Sequence, residues 1–410
     1  MDFASFQALT TPSGQALLRE ASGLDVREDR LLAAASRLRE RHNADLVSAA
    51  LTQVRLRQRA RAKFGDDASR MYFTQAGLEQ STRASVASHR ARRFADRLPS
   101  ARVLELGCGI GADLIARAQE GLPGEGVELD PLTAAVARAN VTALGLDGLA
   151  SVRVGDATKE DADGFGAVFA DPGRRTARGR VFDPRAYAPP LDTVLNLGGR
   201  APAACVKVAP GIPHEAVPEG AEAEWVSVDG DVKEAALWLG ELSGDVGRRA
   251  TLLSPGPDPQ ARTPQEWTLT PHGLGAPDVR AWGRYLYEPD GAVIRAHLVG
   301  EVADLVGGGL VDPHIAYVTS DELRPTPFAS AYEVEDVLPF SVKRLRAELR
   351  RRGTGVLTVK KRGSAVDVDR LRRDLGFAGR RAPRGAPELT VVVTRVGRAP
   401  VAVLTHPVRS

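Results

Sequence analysis

One short stretch of the chain has the residue types and spacing of a cofactor-binding loop. The apolar run Val103–Leu106 is typical of a strand, and Gly107, Gly109 and Gly111 follow it at alternate positions before a helical pattern begins at Ala112. Glycine is needed where the backbone adopts positive φ, or where a ligand approaches the main chain more closely than a Cβ allows. The stretch therefore predicts a strand, a loop around a nucleotide-containing cofactor, and a helix.

The glycine spacing by itself is compatible with two kinds of cofactor. Gly107, Gly109 and Ala112 also satisfy the pattern of a dinucleotide-binding fold, in which Glu128 would hold a ribose. Glu105, however, ends the first strand two residues before the first glycine, where a carboxylate would attract a ligand ammonium group and repel a pyrophosphate. The acid favours a cationic cofactor over an anionic one.

Acidic residues also stand at the ends of the next three predicted strands. Glu128 ends the second strand, Asp156 follows the third, and Asp171 with Pro172 follows the fourth. Each acid has a simpler interpretation as a helix cap or as the acceptor of a loop amide. Because the carboxyl ends of neighbouring parallel strands meet at one edge of a sheet, their recurrence favours a single binding crevice.

These runs, VLELGCGIG, GVELD, GDA and ADPG, resemble the motifs of class I S-adenosylmethionine-dependent methyltransferases over residues 100–240. The resemblance implies an α/β fold with a Rossmann-like, seven-stranded sheet, and S-adenosyl-L-methionine as the cofactor. It also implies that the glycine loop and its preceding acid hold the methionine portion, the second acid the ribose, and the third motif the adenine. By position, the cofactor-binding residues are then Glu105, Gly107, Gly109, Gly111, Glu128, Asp156 and Ala157.

Asp171 and Pro172 stand where amino-methylating members of this family carry Asp or Asn, then two prolines and an aromatic residue. In those enzymes the acid or amide and the first proline's carbonyl accept the hydrogens of the target amine, so the resemblance implies that Asp171 and Pro172 are catalytic. Gly173 and Arg174 depart from the pattern, which leaves the target atom open. A guanidinium can stack on a base or pair with phosphate, so Arg174 is a candidate RNA contact, with a solvated surface arginine as the alternative.

Charge is unevenly distributed over the 410 residues. Residues 1–100 contain 17 Lys and Arg against 11 Asp and Glu, and residues 326–410 contain 18 against 8. Since the whole chain carries +3, the middle 225 residues carry −13. Basic flanks around an acidic body indicate a polyanionic partner for the flanks and a cationic ligand for the body, with solvated arginine-rich helices as the alternative.

Hydrophobic periodicity divides the chain into three predicted parts. Residues 1–99 form an N-terminal helical region, residues 100–265 the methyltransferase domain, and residues 266–410 a C-terminal α+β domain. Within the helical region, Asp45–Phe64 is predicted as a helix with a basic surface, and Leu78–Phe94 as the helix that leads to the first strand.

The C-terminal part combines basic helices at Val342–Arg352 and Val368–Leu375 with a strand at Val356–Lys361 and a hairpin around Gly397. It resembles the THUMP-like domain that accompanies some bacterial methyltransferases. Since THUMP domains bind RNA, the resemblance implies an RNA partner, tRNA or rRNA. The candidate phosphate contacts are Lys343, Arg344, Arg346, Lys360, Lys361 and Arg362.

Composition excludes several other classes of protein. Cys108 and Cys205 provide no disulfide framework, and no Cys or His cluster has metal-ligand spacing, so we expect no metal and a cytoplasmic location. The chain has neither a signal-peptide pattern nor an apolar run of membrane-spanning length, so we expect no membrane partner. Pyrimidine C5 methylation is disfavoured because neither cysteine lies in a matching nucleophile motif.

The sequence therefore predicts an enzyme that N-methylates a base in structured RNA. Two alternatives stay open: methylation of a protein or small molecule, and an RNA-binding protein that keeps the cofactor fold without turnover. The presence of Glu105, Glu128, Asp156 and Asp171 together argues against the second alternative.

Overall fold

The computed structural model describes residues 1–173, 175–176, 179–180, 186–254, 264–377 and 385–408. The described residues divide into two compact units. Within the first unit lie Met1–Glu224 and Glu234–Gly247, and within the second lie Trp225–Lys233, Arg248–Ser254 and Gln265–Ser410. Among the described residues, no helix is long and apolar enough to cross a membrane.

The chain is helical up to the first strand. The helices are α1 (Phe3–Thr10), α2 (Pro12–Ser22), α3 (Leu31–Arg39), α4 (Ala44–Phe64), α5 (Gln75–Gln80) and α6 (Ala84–Arg97). Helix α4 starts after Asn43, whose side-chain oxygen accepts from the amides of Asp45 and Leu46, and it ends at Gly65, where φ is 55°. Asn is a preferred N-cap residue, and glycine tolerates the positive φ at which the helix ends, so α4 closely matches the predicted helix.

The single helix predicted over Leu78–Phe94 is wrong, because the structure has two helices there. The chain leaves helical geometry at Ser81, where ψ is 144°. Lys63 Nζ donates to the carbonyl oxygens of Leu78, Glu79 and Ser81 at 2.6, 3.1 and 2.9 Å, and so satisfies the acceptors at the end of α5. Periodicity could not reveal this break because the residue that stabilises it lies on another helix.

A doubly wound α/β arrangement follows the helical region. Its elements are β1 (Val103–Leu106), α7 (Ala112–Gln119), β2 (Gly124–Glu128), α8 (Pro131–Ala143), β3 (Ala150–Val154), β4 (Ala167–Ala170), β5 (Arg175–Thr176), β6 (Gly179–Arg180), α9 (Leu191–Gly198), β7 (Ala203–Val208), β8 (Glu222–Val228) and β9 (Asp231–Gly240). Seven of these strands follow one another in one sheet in the order β3-β2-β1-β4-β7-β9-β8, and β5 and β6 pair separately.

Strands β1, β2, β3, β4 and β7 are parallel, and β9 is antiparallel to β7. All residues of β1 and β4 are buried, as expected for central strands covered on both faces. The carboxyl ends of β1, β2 and β4 consequently meet along one edge of the sheet, where the glycine loop and the predicted acids lie.

The second unit has its own mixed sheet. Its elements are β10 (Arg248–Ser254), β11 (Gln265–Leu269), β12 (Tyr285–Pro289), α10 (Gly291–Arg295), α11 (Val299–Leu305), β13 (Gly309–Asp312), β14 (Ile315–Ser320), β15 (Ala329–Pro339), α12 (Val342–Arg351), β16 (Val356–Lys361), α13 (Val368–Leu375), β17 (Glu388–Val396) and β18 (Ala399–Pro407). Strands β10 and β11 pair antiparallel. The other strands form a sheet in the order β13-β14-β12-β15-β18-β17-β16.

Helices α12 and α13 bury their leucines in a shared core with β16 and β17, including Leu345, Leu349, Leu357 and Leu371. The opposite faces of these helices carry their arginines and lysines. The predicted C-terminal elements thus occur where expected, because leucines at helical spacing and an apolar strand are local signals.

Candidate active site

The glycine loop after β1 leaves its main chain open on one side. Gly107, Gly109 and Gly111 have φ of 74°, 55° and 86°, values that L side chains rarely adopt. A Cβ placed on Gly107 or Gly109 would find no heavy atom within 4 Å. The loop therefore offers a stretch of backbone that a ligand can approach closely.

Glu128, at the end of β2, braces this loop. Its Oε2 accepts from the amide of Gly109 at 2.9 Å, and its Oε1 accepts from the amide of Asp130 at 3.0 Å. Asp130 in turn accepts from the amide of Thr133 at 2.8 Å and caps α8. Glu128 thus lies beside the open face of the glycine loop, where the predicted ribose contact would be made.

Glu105 is buried inside the sheet edge and is paired with a cation. Its Oε2 accepts from the guanidinium of Arg117 on α7, and both side chains are no more than 3% exposed. Burial raises the pKa of Glu105 to about 7, although Arg117 acts in the opposite direction. The predicted contact with a ligand ammonium would therefore be made by a carboxylate that already has one cationic partner.

Asp156 and Ala157 follow β3 in a short turn. Asp156 Oδ1 accepts from the amide and the hydroxyl of Thr158 at 3.0 and 2.7 Å. The hydrogen bonds from Thr158 lower the pKa of Asp156. These hydrogen bonds match the simpler interpretation of Asp156 as the acceptor of a loop amide. Its contact with the adenine of the cofactor stays a prediction.

The side chain of Asp171, which follows β4, forms an ion pair with a buried lysine. Its Oδ2 accepts from Lys207 Nζ at 2.5 Å, and the same ammonium donates to Thr82 Oγ1 at 2.9 Å. The side chain of Asp171 is 26% exposed, whereas that of Lys207 is 6% exposed. Asp171 is therefore the member of this group that reaches the crevice.

The residues after Asp171 are only partly described. Pro172 is buried, and Gly173 exchanges two backbone hydrogen bonds with Ala188, at 2.8 and 2.9 Å. Arg174, the candidate base-stacking residue, lies outside the described residues.

Further charged residues surround Asp171 and Glu105. Arg90 donates to Asp113 at 3.0 Å and to Glu234 at 2.5 Å, and all three are buried. The carboxylates of this cluster are those of Glu105, Asp113, Asp171 and Glu234, and its cations are Arg90, Arg117 and Lys207. Four acids against three cations leave one negative charge when all are ionised.

This arrangement fits S-adenosylmethionine, whose sulfonium and ammonium groups are positive and whose carboxylate is negative. When Glu105 is ionised, the surplus negative charge complements the ligand's net positive charge in a site where burial strengthens electrostatic attraction. The open backbone at Gly107 and Gly109 gives the ligand room along the loop. Among the described residues, no His, Cys, Asp and Glu side chains are grouped as metal ligands.

The candidate RNA contacts in the second unit differ in their surroundings. Lys360 is ion-paired with Glu288 at 2.5 Å, and Arg362 lies 3.7 Å from the same carboxylate. Lys361 Nζ donates to the carbonyl of Val366 at 2.7 Å, and Arg346 donates to the carbonyl of Asp374. These four cations therefore already have partners within the fold.

Lys343 and Arg344 are exposed on α12, and their side chains form no ion pair with a described residue. Arg350 on the same helix is likewise exposed and forms no ion pair with a described residue, although sequence analysis did not propose it as an RNA contact. An exposed cation without an acidic partner has more to gain from a phosphate than a paired one. The structure thus favours Lys343, Arg344 and Arg350 of α12 over the four paired cations as candidate phosphate contacts.

Sequence reasoning assigned no role to Lys207, Arg90, Asp113 or Glu234. A signal was present for Lys207, because it is the single charged residue in the strand AACVKV. A charge inside an apolar strand has to find a buried partner, but its identity depends on residues far away in the sequence.

Comparison with known proteins identifies relatives over most of the chain and family matches near its two ends. It is 37% identical over 353 residues to an uncharacterized S-adenosylmethionine-dependent methyltransferase of Mycobacterium tuberculosis, in strains CDC 1551 and H37Rv, covering 83% of this chain and 91% of the relative. Residues 329–407 match the THUMP domain-like family, and residues 2–60 match a domain of unknown function (DUF8688).

The fold is also seen in a crystal structure of a Porphyromonas gingivalis protein assigned as a methyltransferase. The TM-score is 0.73 with 21% sequence identity, and the alignment covers 96% of this chain and 98% of that protein. At this identity the likeness concerns the fold, and it extends over nearly the full length of both chains.

Proposed function

Since the chain belongs to the family of S-adenosylmethionine-dependent methyltransferases, we propose that it methylates a nitrogen atom of a base in structured RNA, either tRNA or rRNA. The enzymatic class and the cofactor follow from family membership. The substrate and the residue roles are the proposal.

The observation that carries the RNA substrate is the exposed basic face of α12. Lys343, Arg344 and Arg350 point away from the leucine core, and they lie inside the segment that matches the THUMP domain-like family. Unpaired cations on one helix face suit a phosphate backbone, because each contact releases condensed counterions. A small neutral substrate would gain nothing from this surface.

In the catalytic crevice, we propose that the glycine loop and Glu128 hold the cofactor, with Glu105 near its ammonium group and Asp156 with Ala157 near its adenine. When bound, S-adenosylmethionine supplies an electrophilic methyl group on its sulfonium sulfur. The loop glycines contribute by allowing close approach, and Glu128 contributes by fixing the loop through the amide of Gly109.

Asp171 would orient the target amine. Its Oδ2 is occupied by Lys207, so Oδ1 accepts a hydrogen bond from the amine and directs the nitrogen lone pair toward the methyl carbon. The carbonyl of Pro172 would accept the second amine hydrogen. As the new N–C bond forms and the sulfur–methyl bond breaks, S-adenosylhomocysteine leaves and the amine gains positive charge, which the Asp171 carboxylate stabilises until the surplus proton passes to solvent. Orientation of this kind supplies much of the rate enhancement.

The test is transfer of a radiolabelled methyl group to total RNA taken from cells that lack this protein, followed by mass spectrometry of the nucleosides. We expect label in one N-methylated nucleoside, which Asp171→Ala abolishes while S-adenosylmethionine binding persists in calorimetry. Label in protein but not in RNA would contradict the RNA substrate. Undiminished transfer by Asp171→Ala would remove Asp171 from the mechanism.

A further inference from the structure

Lys207 is a fully charged side chain enclosed in the interior of an otherwise apolar strand. It lies in β7, next to β4, and its neighbours in the strand are alanine, cysteine and valine. Its Nζ donates to Asp171 Oδ2 at 2.5 Å and to Thr82 Oγ1 at 2.9 Å, and lies 3.9 Å from Glu234 Oε2. Two of the three N–H donors of this ammonium group are therefore hydrogen-bonded, and the Glu234 carboxylate adds an ion pair at a longer distance.

Neighbouring carboxylates stabilise the positive charge on Lys207. Burial by itself lowers the pKa of Lys207, but the carboxylates of Asp171, Glu234 and Asp113 outweigh that effect and the net shift is upward. Arg90 acts against this charge, and it is itself bound to Asp113 and Glu234. These carboxylates thus favour the charged form of Lys207 beside Asp171.

Lys207 and Asp171 differ in their exposure, and this difference indicates different functions. Lys207 is enclosed and reaches no open surface, whereas Asp171 is a quarter exposed and ends the strand at the crevice. A carboxylate held at one oxygen by a rigid, buried donor loses rotation about its side-chain bonds, and its second oxygen then has a defined direction.

We propose that Lys207 is a positioning residue for methyl transfer, which fixes Asp171 through Oδ2 so that Oδ1 meets the target amine. This inference rests on the proposed role of Asp171. Lys207 touches neither substrate nor cofactor, and its effect on the reaction passes through Asp171 alone.

Thr82 connects the N-terminal helical region to the Lys207–Asp171 ion pair. It lies in the break between α5 and α6, where Lys63 holds the carbonyls of the preceding turn. Its buried hydroxyl accepts a hydrogen bond from the same Lys207 ammonium that holds Asp171. The break in the helix, which sequence periodicity did not reveal, therefore supplies the second anchor for the lysine.

The experiment compares Lys207→Gln with the matched control Lys233→Gln, which alters a partly exposed lysine paired with Asp231. Single-turnover methyl transfer to total RNA from cells that lack this protein is measured beside S-adenosylmethionine affinity, RNA affinity and thermal unfolding. We expect Lys207→Gln to slow transfer by about 10²-fold, because a misplaced catalytic group costs roughly this much. Both affinities should change by less than about threefold, which is within ordinary mutational scatter.

A kinetic double-mutant cycle tests whether Lys207 acts through Asp171. Because the lysine has no other route to the substrate, Asp171→Asn with Lys207→Gln should be no slower than Asp171→Asn alone. Additive losses in the double variant would overturn the inference. So would wild-type transfer rates in Lys207→Gln.

A second variant, Thr82→Val, keeps the test decisive if Lys207→Gln does not fold. It is nearly isosteric and removes the hydroxyl that accepts from the Lys207 ammonium and that also hydrogen-bonds Asp113, so we expect transfer to slow by about tenfold with cofactor affinity retained. Unchanged transfer in Thr82→Val would then count against the inference. If Asp171→Ala transfers at the wild-type rate, the proposed role of Asp171 fails, whereas an impaired Asp171→Ala beside a fully active Lys207→Gln defeats this inference alone.

Discussion

The side chain of Asn140 forms hydrogen bonds to both backbone groups of Tyr72. Its Oδ1 accepts from the Tyr72 amide at 2.6 Å, and its Nδ2 donates to the Tyr72 carbonyl at 3.1 Å. The same Nδ2 donates to the carbonyl of Ile110, within the glycine loop, at 3.0 Å. One fully buried amide on α8 therefore joins the helical region to the cofactor loop.

Asn140→Ala should destabilise the fold and loosen the loop. It leaves three buried backbone groups without their partner, and we expect the free energy of unfolding to fall by about 3 kcal/mol. Denaturant unfolding measures this, and calorimetry should show weaker S-adenosylmethionine binding. Asn196→Ala, on an exposed position of α9, is the control and should leave both unchanged. Equal stability of the two variants would contradict this role of Asn140.

Gly109→Ala should weaken cofactor binding beyond its effect on stability. Gly109 and Gly121 both have positive φ, and neither has an atom within 4 Å of an added Cβ, so both substitutions carry a similar backbone cost of about 1–2 kcal/mol. Only the methyl group at position 109 would enter the crevice. We expect calorimetry to show lost S-adenosylmethionine affinity in Gly109→Ala and retained affinity in Gly121→Ala. Similar affinities would place the cofactor elsewhere.

Glu128→Ala should reduce S-adenosylmethionine affinity by about 10- to 100-fold, the cost of losing a charged hydrogen-bond acceptor. The variant also releases the amides of Gly109 and Asp130. Glu128→Gln keeps one acceptor and should bind with intermediate affinity. Binding of NAD in place of S-adenosylmethionine by the unaltered protein would overturn the cofactor contacts proposed for this loop.

Cofactor affinity should rise with pH near neutrality. Burial raises the pKa of Glu105 to about 7, so part of the population is protonated at neutral pH, and a cationic ligand binds the ionised form better. We expect S-adenosylmethionine affinity to increase from about pH 6 to 8, with proton release on binding, as linkage requires. Calorimetry in buffers of different ionisation enthalpy measures that release.

Glu105→Gln is the matched variant for this pH dependence and should bind with little change over the same range. The contribution of Glu105 to the stability of the fold changes with pH in the direction opposite to cofactor affinity. Because the folded pKa lies above the ordinary value of 4.5, the stability from the protonated carboxyl is present below about pH 4.5 and is lost as pH rises through 7. The same pH slope in Glu105→Gln as in the unaltered protein would assign it to another group.

The basic face of α12 should govern RNA affinity. Replacing Lys343, Arg344 and Arg350 together by alanine should reduce the slope of log affinity against log salt by about 2 to 3, since each phosphate contact contributes about 0.7–0.9. The control replaces Arg284, Arg324 and Arg351, which make the same change in charge but are paired with Glu333, Glu322 and Glu348. Equal slopes in the two triple variants would remove α12 from the interface.

Point variants are the better test of this interface than truncation. Removing residues 326–410 would take β15, β16, β17 and β18 from the sheet that also contains β12, β13 and β14. Any loss of RNA binding would then be inseparable from the loss of the fold.

The sequence predicted most of the elements because their signals are local. The helix over Val368–Leu375 and the strand over Val356–Lys361 have the predicted bounds, since leucine spacing and apolar runs are read within a single segment. The family and its cofactor were also predicted and are confirmed by the relatives. The break between α5 and α6 was missed because Lys63, which stabilises it, lies 15 to 18 residues away.

The sequence alone determined which residues end the strands of the crevice, because glycines, acids and apolar runs at fixed spacing define a strand, a loop and a helix. Only the tertiary structure decided what those residues face. Lys207 and Thr82 are 125 residues apart, and Arg117 reaches Glu105 from the next helix. Burial forces such charges to find partners, and the choice of partner depends on how the chain packs.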